Sequence, residues 1–150
     1  MSYKNILIKN GFLANSKTIS KDDVLISNGK ISDIGSLSDT KADYIIDASN
    51  KYIVSGIIDP QVHFRDPGLT HKEDLNTGSM SAAAGGITTF FEMPNTNPST
   101  ITIEKLNEKY QTASQKSLVN YSFFLGATPD NIDEIKKLEG NCGIKIFMGS

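Results

Sequence analysis

Between Tyr52 and Met148 short apolar runs alternate with helix-forming stretches, and this rhythm restricts the chain to a few folds. Ile53-Val54-Ser55-Gly56-Ile57-Ile58 is a continuous apolar run, as expected for a strand buried on both faces. Glu73 to Ala84 predicts a helix, with Ala82-Ala83-Ala84 as strong formers and Gly85-Gly86 as the stop. Ile87 to Phe91 predicts a second strand. Ile101 to Ser117 predicts a second helix, with Ile103, Leu106 and Tyr110 at helical spacing. Leu118 to Leu125 reads as a third strand, Ile132 to Leu138 as a short helix capped by Asp130 or Asn131, and Gly143 to Met148 as a fourth strand. Alternation at intervals of roughly 25–33 residues means a parallel sheet with right-handed crossovers. Two architectures fit: an open doubly wound sheet, or part of a (β/α)₈ barrel, which needs about 250 residues.

The first fifty residues have a different texture. Ile6-Leu7-Ile8, Val24-Leu25-Ile26, Ile31 to Ile34 and Tyr44 to Asp47 are short strand candidates. Asn10-Gly11 and Asn28-Gly29 are hairpin signals. They predict a small β-sandwich or sheet with too few strands to bury a core of its own.

Composition excludes several function classes. Lys plus Arg is 15 and Asp plus Glu is 17, a net charge of −2, which gives no basic surface for nucleic acid. A single cysteine cannot form an intrachain disulfide. No run reaches the ~18 apolar residues of a membrane span, and Met1 to Asn10 lacks a signal-peptide core, so the expected location is cytoplasmic.

The densest chemistry is Asp59-Pro60-Gln61-Val62-His63-Phe64-Arg65-Asp66-Pro67-Gly68, directly after the first buried strand. Ligands bind at the C-terminal ends of parallel strands. If the strand continues, Gln61, His63 and Arg65 share one face. An imidazole can bind a metal, and a guanidinium can grip a carboxylate or phosphate. Equally, His63 and Arg65 can be ties that hold a loop. Asn95, in Glu92-Met93-Pro94-Asn95-Thr96, stands at the next strand end, as a carboxylate donor or a plain turn residue. Lys145 lies within an apolar run, where a bare ammonium is costly; it is salt-bridged, solvated at an edge, or chemically modified. Cys142 reads as a buried structural thiol and His71 as a surface residue.

Six segments in order resemble the dihydroorotase branch of the amidohydrolase superfamily. They are Gly56-Ile57-Ile58-Asp59, His63 to Gly68, Lys72-Glu73-Asp74, Ala84 to Thr89, Met93-Pro94-Asn95-Thr96 and Gly143 to Gly149. The resemblance implies an α/β fold, the first half of a (β/α)₈ TIM barrel with four strands and three helices, preceded by part of a small β-sandwich. Residues 1–52 match the sandwich part and 53–150 the first four barrel strands. It implies a zinc-dependent hydrolase using one or two Zn²⁺ ions. His63 matches a metal ligand of the family's His-x-His pair, and Gln61 stands in the place of the other histidine. Lys145 matches a lysine that is carboxylated and bridges two metals in many relatives. Arg65 and Asn95 match the residues that hold the substrate carboxylate.

The activity implied is the reversible cyclisation of N-carbamoyl-L-aspartate to dihydroorotate in de novo pyrimidine biosynthesis. The alternatives are a non-catalytic homologue acting as an assembly partner, and a hydantoinase or allantoinase. The partners implied are a small-molecule substrate, a second copy of the chain or an aspartate transcarbamoylase, with no nucleic acid and no membrane. By the same resemblance, the catalytic aspartate and two more metal-binding histidines are expected beyond Ser150. The chain is then expected to be the N-terminal part of a longer enzyme, inactive and poorly folded alone.

Overall fold

The computed structural model describes residues 4–149; Met1 to Tyr3, and Ser150 at the end of the last apolar run, lie outside the described residues. The chain divides into two compact units, Met1–Ser55 and Gly56–Ser150.

The first unit contains β1 (Asn5–Lys9), β2 (Phe12–Ala14), β3 (Ile19–Lys21), β4 (Asp23–Ser27), β5 (Lys30–Gly35), β6 (Tyr44–Asp47) and β7 (Tyr52–Ile53). They form two sheets, ordered β5-β4-β1-β6 and β3-β2-β7. The pairs β1–β6 and β2–β7 are parallel, and the remaining pairs are antiparallel. Leu7, Val24 and Ala48 are its buried apolar side chains, while Ile19, Ile31, Ile34 and Ile45 stay exposed.

The two Asn-Gly pairs behave differently. Asn28-Gly29 joins β4 to β5 as a two-residue hairpin loop, with φ of 51° and 77°, the signs a type I′ turn needs. Asn10-Gly11 is not a hairpin. Both edges of β1 are taken by β4 and β6, so the chain leaves the sheet there and β2 starts the other one. Gly11 is required by packing, because a Cβ would lie 2.5 Å from Ile53 Cδ1. At Gly29 an added Cβ meets nothing within 4 Å, so Gly29→Ala tests backbone conformation alone. The expected loss is about 1 kcal/mol, the cost of a side chain in the left-handed region, read as a small drop in the urea midpoint.

The second unit contains β8 (Ile57–Val62), α1 (Leu75–Ala84), β9 (Ile87–Glu92), α2 (Ile103–Lys116), β10 (Asn120–Phe123), β11 (Leu125–Gly126), α3 (Ile132–Lys136) and β12 (Ile144–Lys145). The pairs β8–β9, β9–β10 and β11–β12 are all parallel. Each strand therefore lies beside its sequence neighbour, with a break at Phe124, whose N–H donates to Glu92 O. No strand order reverses among the described residues, as an open doubly wound sheet would require.

Helix boundaries follow their caps. Asp74 accepts hydrogen bonds from Asn76 N–H and Thr77 N–H and starts α1, and Thr102 accepts from Lys105 N–H and starts α2. The Asn131 side chain makes no cap bond. Its amide instead donates to Ile101 O and Gly126 O, and its oxygen accepts from Thr128 N–H. One core joins Leu75, Phe90, Leu106, Ala113, Phe123 and Leu125. Phe64 packs on Phe90 with ring centroids 4.8 Å apart.

Two expectations about burial fail. Ile57 and Ile58 are 54% and 56% exposed. The strand β8 pairs with β9 alone among the described residues, and of its apolar side chains Val62 packs on the core while Ile57 and Ile58 do not. The last strand is also shorter than its apolar run predicts. β12 ends at Lys145, and Ile146, Phe147 and Met148 are exposed. Among the described residues no helix is long and apolar enough to cross a membrane.

Candidate active site

Two segments leave the C-terminal ends of neighbouring parallel strands: 63–68 after β8 and 93–98 after β9. The strand β8 stops at Val62, so His63 and Arg65 lie beyond it and Gln61 within it. Arg65 has φ of 69°, a left-handed conformation that ends any alternation, and the expected common face of Gln61, His63 and Arg65 does not form by strand geometry. Gln61 is exposed, with its N–H donating to Asp59 Oδ1 at 3.0 Å.

The turn brings His63, Arg65 and Asn95 together instead. His63 Nδ1 lies 2.9 Å from Asn95 Oδ1. An amide oxygen only accepts, so in this contact the ring nitrogen is the donor. Arg65 Nη1 donates to the Asn95 carbonyl at 3.3 Å. Asn95 is thus held at its side chain by one residue and at its backbone by another. The guanidinium uses one N–H in this contact and has others for an anion.

The two segments are stitched at further points. Asn97 N–H donates to Pro67 O at 3.0 Å, and Met93 N–H to Val62 O at 3.0 Å. Both Asp66–Pro67 and Asn97–Pro98 are cis. Gly68 has φ of 86°, and a Cβ there would fall 1.8 Å from Asn97 O. Asp66 is buried; its Oδ2 accepts from Lys116 Nζ at 2.8 Å and from Leu75 N–H at 3.3 Å, which fixes the turn to α2 and to the start of α1.

Beneath the turn sits an ion pair that sequence reasoning missed. Glu92 and Lys109 have fully buried side chains, with Lys109 Nζ 3.0 Å from Glu92 Oε2. Glu92 Oε1 accepts from Arg65 N–H at 2.9 Å. Lys109 Nζ donates to Met93 O at 3.2 Å and lies 4.8 Å from the Phe123 ring centroid. Burial pushes the Glu92 carboxyl above its ordinary value and the Lys109 ammonium below its own; each partner's charge opposes that push. The signal in the sequence is a charge at a core position on each element. Glu92 closes an apolar strand, and Lys109 sits three residues after Leu106 and four before Ala113 on one helix face.

Lys145 closes β12. It is half-buried, pairs through β12 with Gly126, and its Nζ lies 5.2 Å from the Phe147 ring centroid. It forms no hydrogen bond or ion pair with His63, Arg65 or Asn95. The fully buried lysine of the described chain is Lys109. Cys142 is half-buried, and desolvation pushes its thiol up. His71 is exposed.

Zinc takes four ligands from imidazole, thiolate and carboxylate. Among the described residues no group of three or more His, Cys, Asp or Glu side chains comes together to hold a metal. His63 offers one imidazole, and one imidazole does not make a zinc site, so the residues present do not by themselves fit the ion.

Residues 50–136 match the family model described as Dihydro-orotase-like. The chain is 39% identical over 145 residues to an allantoinase of Desulfitobacterium hafniense, covering 96% of this chain and 32% of that protein. It is 42% identical over 119 residues to a dihydroorotase of Streptococcus pyogenes, covering 78% of this chain and 28% of that protein. A solved L-hydantoinase (dihydropyrimidinase) from Arthrobacter aurescens superposes with a TM-score of 0.89 at 36% identity, covering 93% of this chain and 32% of that one. The chain therefore spans about a third of the length of these relatives. The matched segment holds β8 to β10 and the whole His63, Arg65 and Asn95 cluster, and the chain belongs to the dihydro-orotase-like family of cyclic amidohydrolases.

Proposed function

We propose that this chain supplies the substrate-carboxylate side of the active site of a dihydroorotase, which interconverts N-carbamoyl-L-aspartate and dihydroorotate. The observation that carries the reading is the convergence of Arg65, Asn95 and His63 at two adjacent strand ends. Hydrolysis adds water across the ring amide: the C–N bond breaks, oxygen joins the carbonyl carbon and the nitrogen takes a proton. In this reading Arg65 grips the ring carboxylate through its spare N–H groups and Asn95 is held ready beside it. Zinc is the proposed cofactor, with His63 as a ligand, Lys145 as a further ligand when carboxylated, and Gln61 at the position of the family's other histidine. The strands β8 to β12 are proposed as the first four of a (β/α)₈ barrel, and residues 1–52 as part of a β-sandwich. Sequential parallel neighbours and the likeness to the hydantoinase structure support this.

A second reading has support of its own. The likeness to an allantoinase and to an L-hydantoinase covers more of the chain than the likeness to a dihydroorotase does. Allantoin and hydantoin rings carry no carboxylate, which gives a direct test. The complete gene product is assayed on dihydroorotate, allantoin and hydantoin, with and without Arg65→Met. The dihydroorotase reading expects turnover of dihydroorotate and a KM for it raised about tenfold to a hundredfold in the variant, the cost of a charge-assisted pair. Preferred turnover of allantoin or hydantoin, indifferent to Arg65→Met, would establish the second reading in its place.

A further inference from the structure

A buried ion pair roughly breaks even against apolar residues of the same size, so Glu92 and Lys109 call for a reason other than stability. Their contacts supply one. Glu92 Oε1 takes the N–H of Arg65, whose φ of 69° is a conformation that a non-glycine residue adopts only when held there. Lys109 Nζ takes the carbonyl of Met93, the first residue of the segment that carries Asn95. The pair thus grips both segments of the site, one at each end. It does so through backbone groups, so neither side chain reaches a ligand. The same strand end is tied on its other side, since Glu92 O accepts from Phe124 N–H at 3.0 Å.

We propose that Glu92, held in place by Lys109, is a positioning residue that holds Arg65 in the left-handed turn and so aims its guanidinium at the substrate carboxylate. The group that matters is an acceptor oxygen under Arg65 N–H; the charge pair is the means of keeping that oxygen in an apolar core. Among the described residues no other acceptor takes the Arg65 N–H. With the acceptor gone, the residue relaxes out of the left-handed region and its side chain moves with it. This inference rests on Arg65 being the carboxylate grip.

The test compares two neutral double variants of the complete gene product, so that neither leaves a lone buried charge. Glu92→Gln/Lys109→Met keeps an acceptor oxygen under Arg65; Glu92→Met/Lys109→Met removes it and leaves an apolar pair. The probes are dihydroorotate, which carries a carboxylate, and hydantoin, which does not. The expected result is a KM for dihydroorotate raised at least about tenfold in the Met/Met variant, with a much smaller effect on kcat and on hydantoin, and near wild-type values in the Gln/Met variant. Hydrogen exchange of the Arg65 amide, which needs no turnover, is slow in the wild type and the Gln/Met variant and fast in the Met/Met variant. Equal KM values in the two doubles, or an Arg65 amide still protected in Met/Met, overturns the positioning role. If Arg65→Met alone leaves dihydroorotate KM unchanged, the carboxylate-grip reading fails instead, and the exchange result still decides whether Glu92 holds the turn.

Discussion

Lys109→Met is expected to cost about 3–5 kcal/mol at neutral pH, several times the loss expected for Gly29→Ala. The side chain lost is fully buried, and its removal strands the Glu92 carboxylate in the core, with Arg65 N–H as its remaining hydrogen-bond donor. Met93 O also loses its Nζ donor. Glu92→Met/Lys109→Met should recover most of the loss, because the desolvation cost of both charges disappears with them. The check is the urea midpoint of the complete gene product at constant m-value. A loss under about 1 kcal/mol for the single variant would show that the pair is solvated rather than buried in solution.

The pH dependence has a definite sign. Burial raises the folded Glu92 carboxyl above its ordinary 4.5. In the window between that value and the raised one, the folded state binds more protons than the unfolded state, so stability falls as pH rises through it. Lys109→Met removes the charge that opposes the upward push and widens the window. The deficit of the variant is therefore largest at neutral pH and shrinks as pH falls toward 4.5. The neutral double variant has no such slope.

Gly68→Ala is expected to lower kcat/KM about a hundredfold while Gly29→Ala leaves it alone. Both glycines have positive φ, 86° and 77°, so both substitutions carry the same backbone penalty. Only Gly68 has a neighbour: Asn97 O lies 1.8 Å from the place a Cβ would take. That atom is backbone and cannot rotate aside. The segments after β8 and β9 must part by roughly 1 Å or more to restore ordinary contact. Their hydrogen bond from Asn97 N–H to Pro67 O and the Arg65 contact to Asn95 O stretch with them. A displacement of about 1 Å at a site costs on the order of a hundredfold in rate. Kinetics and melting of the two alanine variants side by side separate the shared conformational cost from the steric one. Equal effects of the two substitutions on kcat/KM would show that the two segments are not locked through Gly68.

The helices and most strands were legible because their signals are local. Asp74 and Thr102 cap as their types demand, and Gly85 ends α1. The His63, Arg65 and Asn95 cluster was legible by position, since strand ends collect ligand-binding residues, but its geometry was not. Alternation along a strand predicted a shared face, and a left-handed Arg65 produced the convergence by a turn instead. That conformation depends on Glu92, which is 27 residues away and invisible to any short window. Asn10-Gly11 failed as a hairpin signal for a related reason. A turn dipeptide sets local φ, whereas the partner of β1 is decided by which strands later take its edges. Lys145 drew attention as a lysine in an apolar run, yet the run is exposed. The lysine that burial does penalise hides in a polar-looking helix sequence at Lys109.

The strand order of the first unit also dictates when it can fold. The hairpins β2–β3 and β4–β5 are local and close within a few residues of their turns. Each sheet, however, takes its outer parallel strand late: β6 returns to β1 and β7 to β2, across spans of nearly the whole unit. Such pairings carry a loop-closure cost before they return any contact energy, which slows folding. A ribosome making this chain therefore releases the hairpins β2–β3 and β4–β5 before either sheet can close. The first sheet can be completed only once β6 has emerged, and the second only once β7 has.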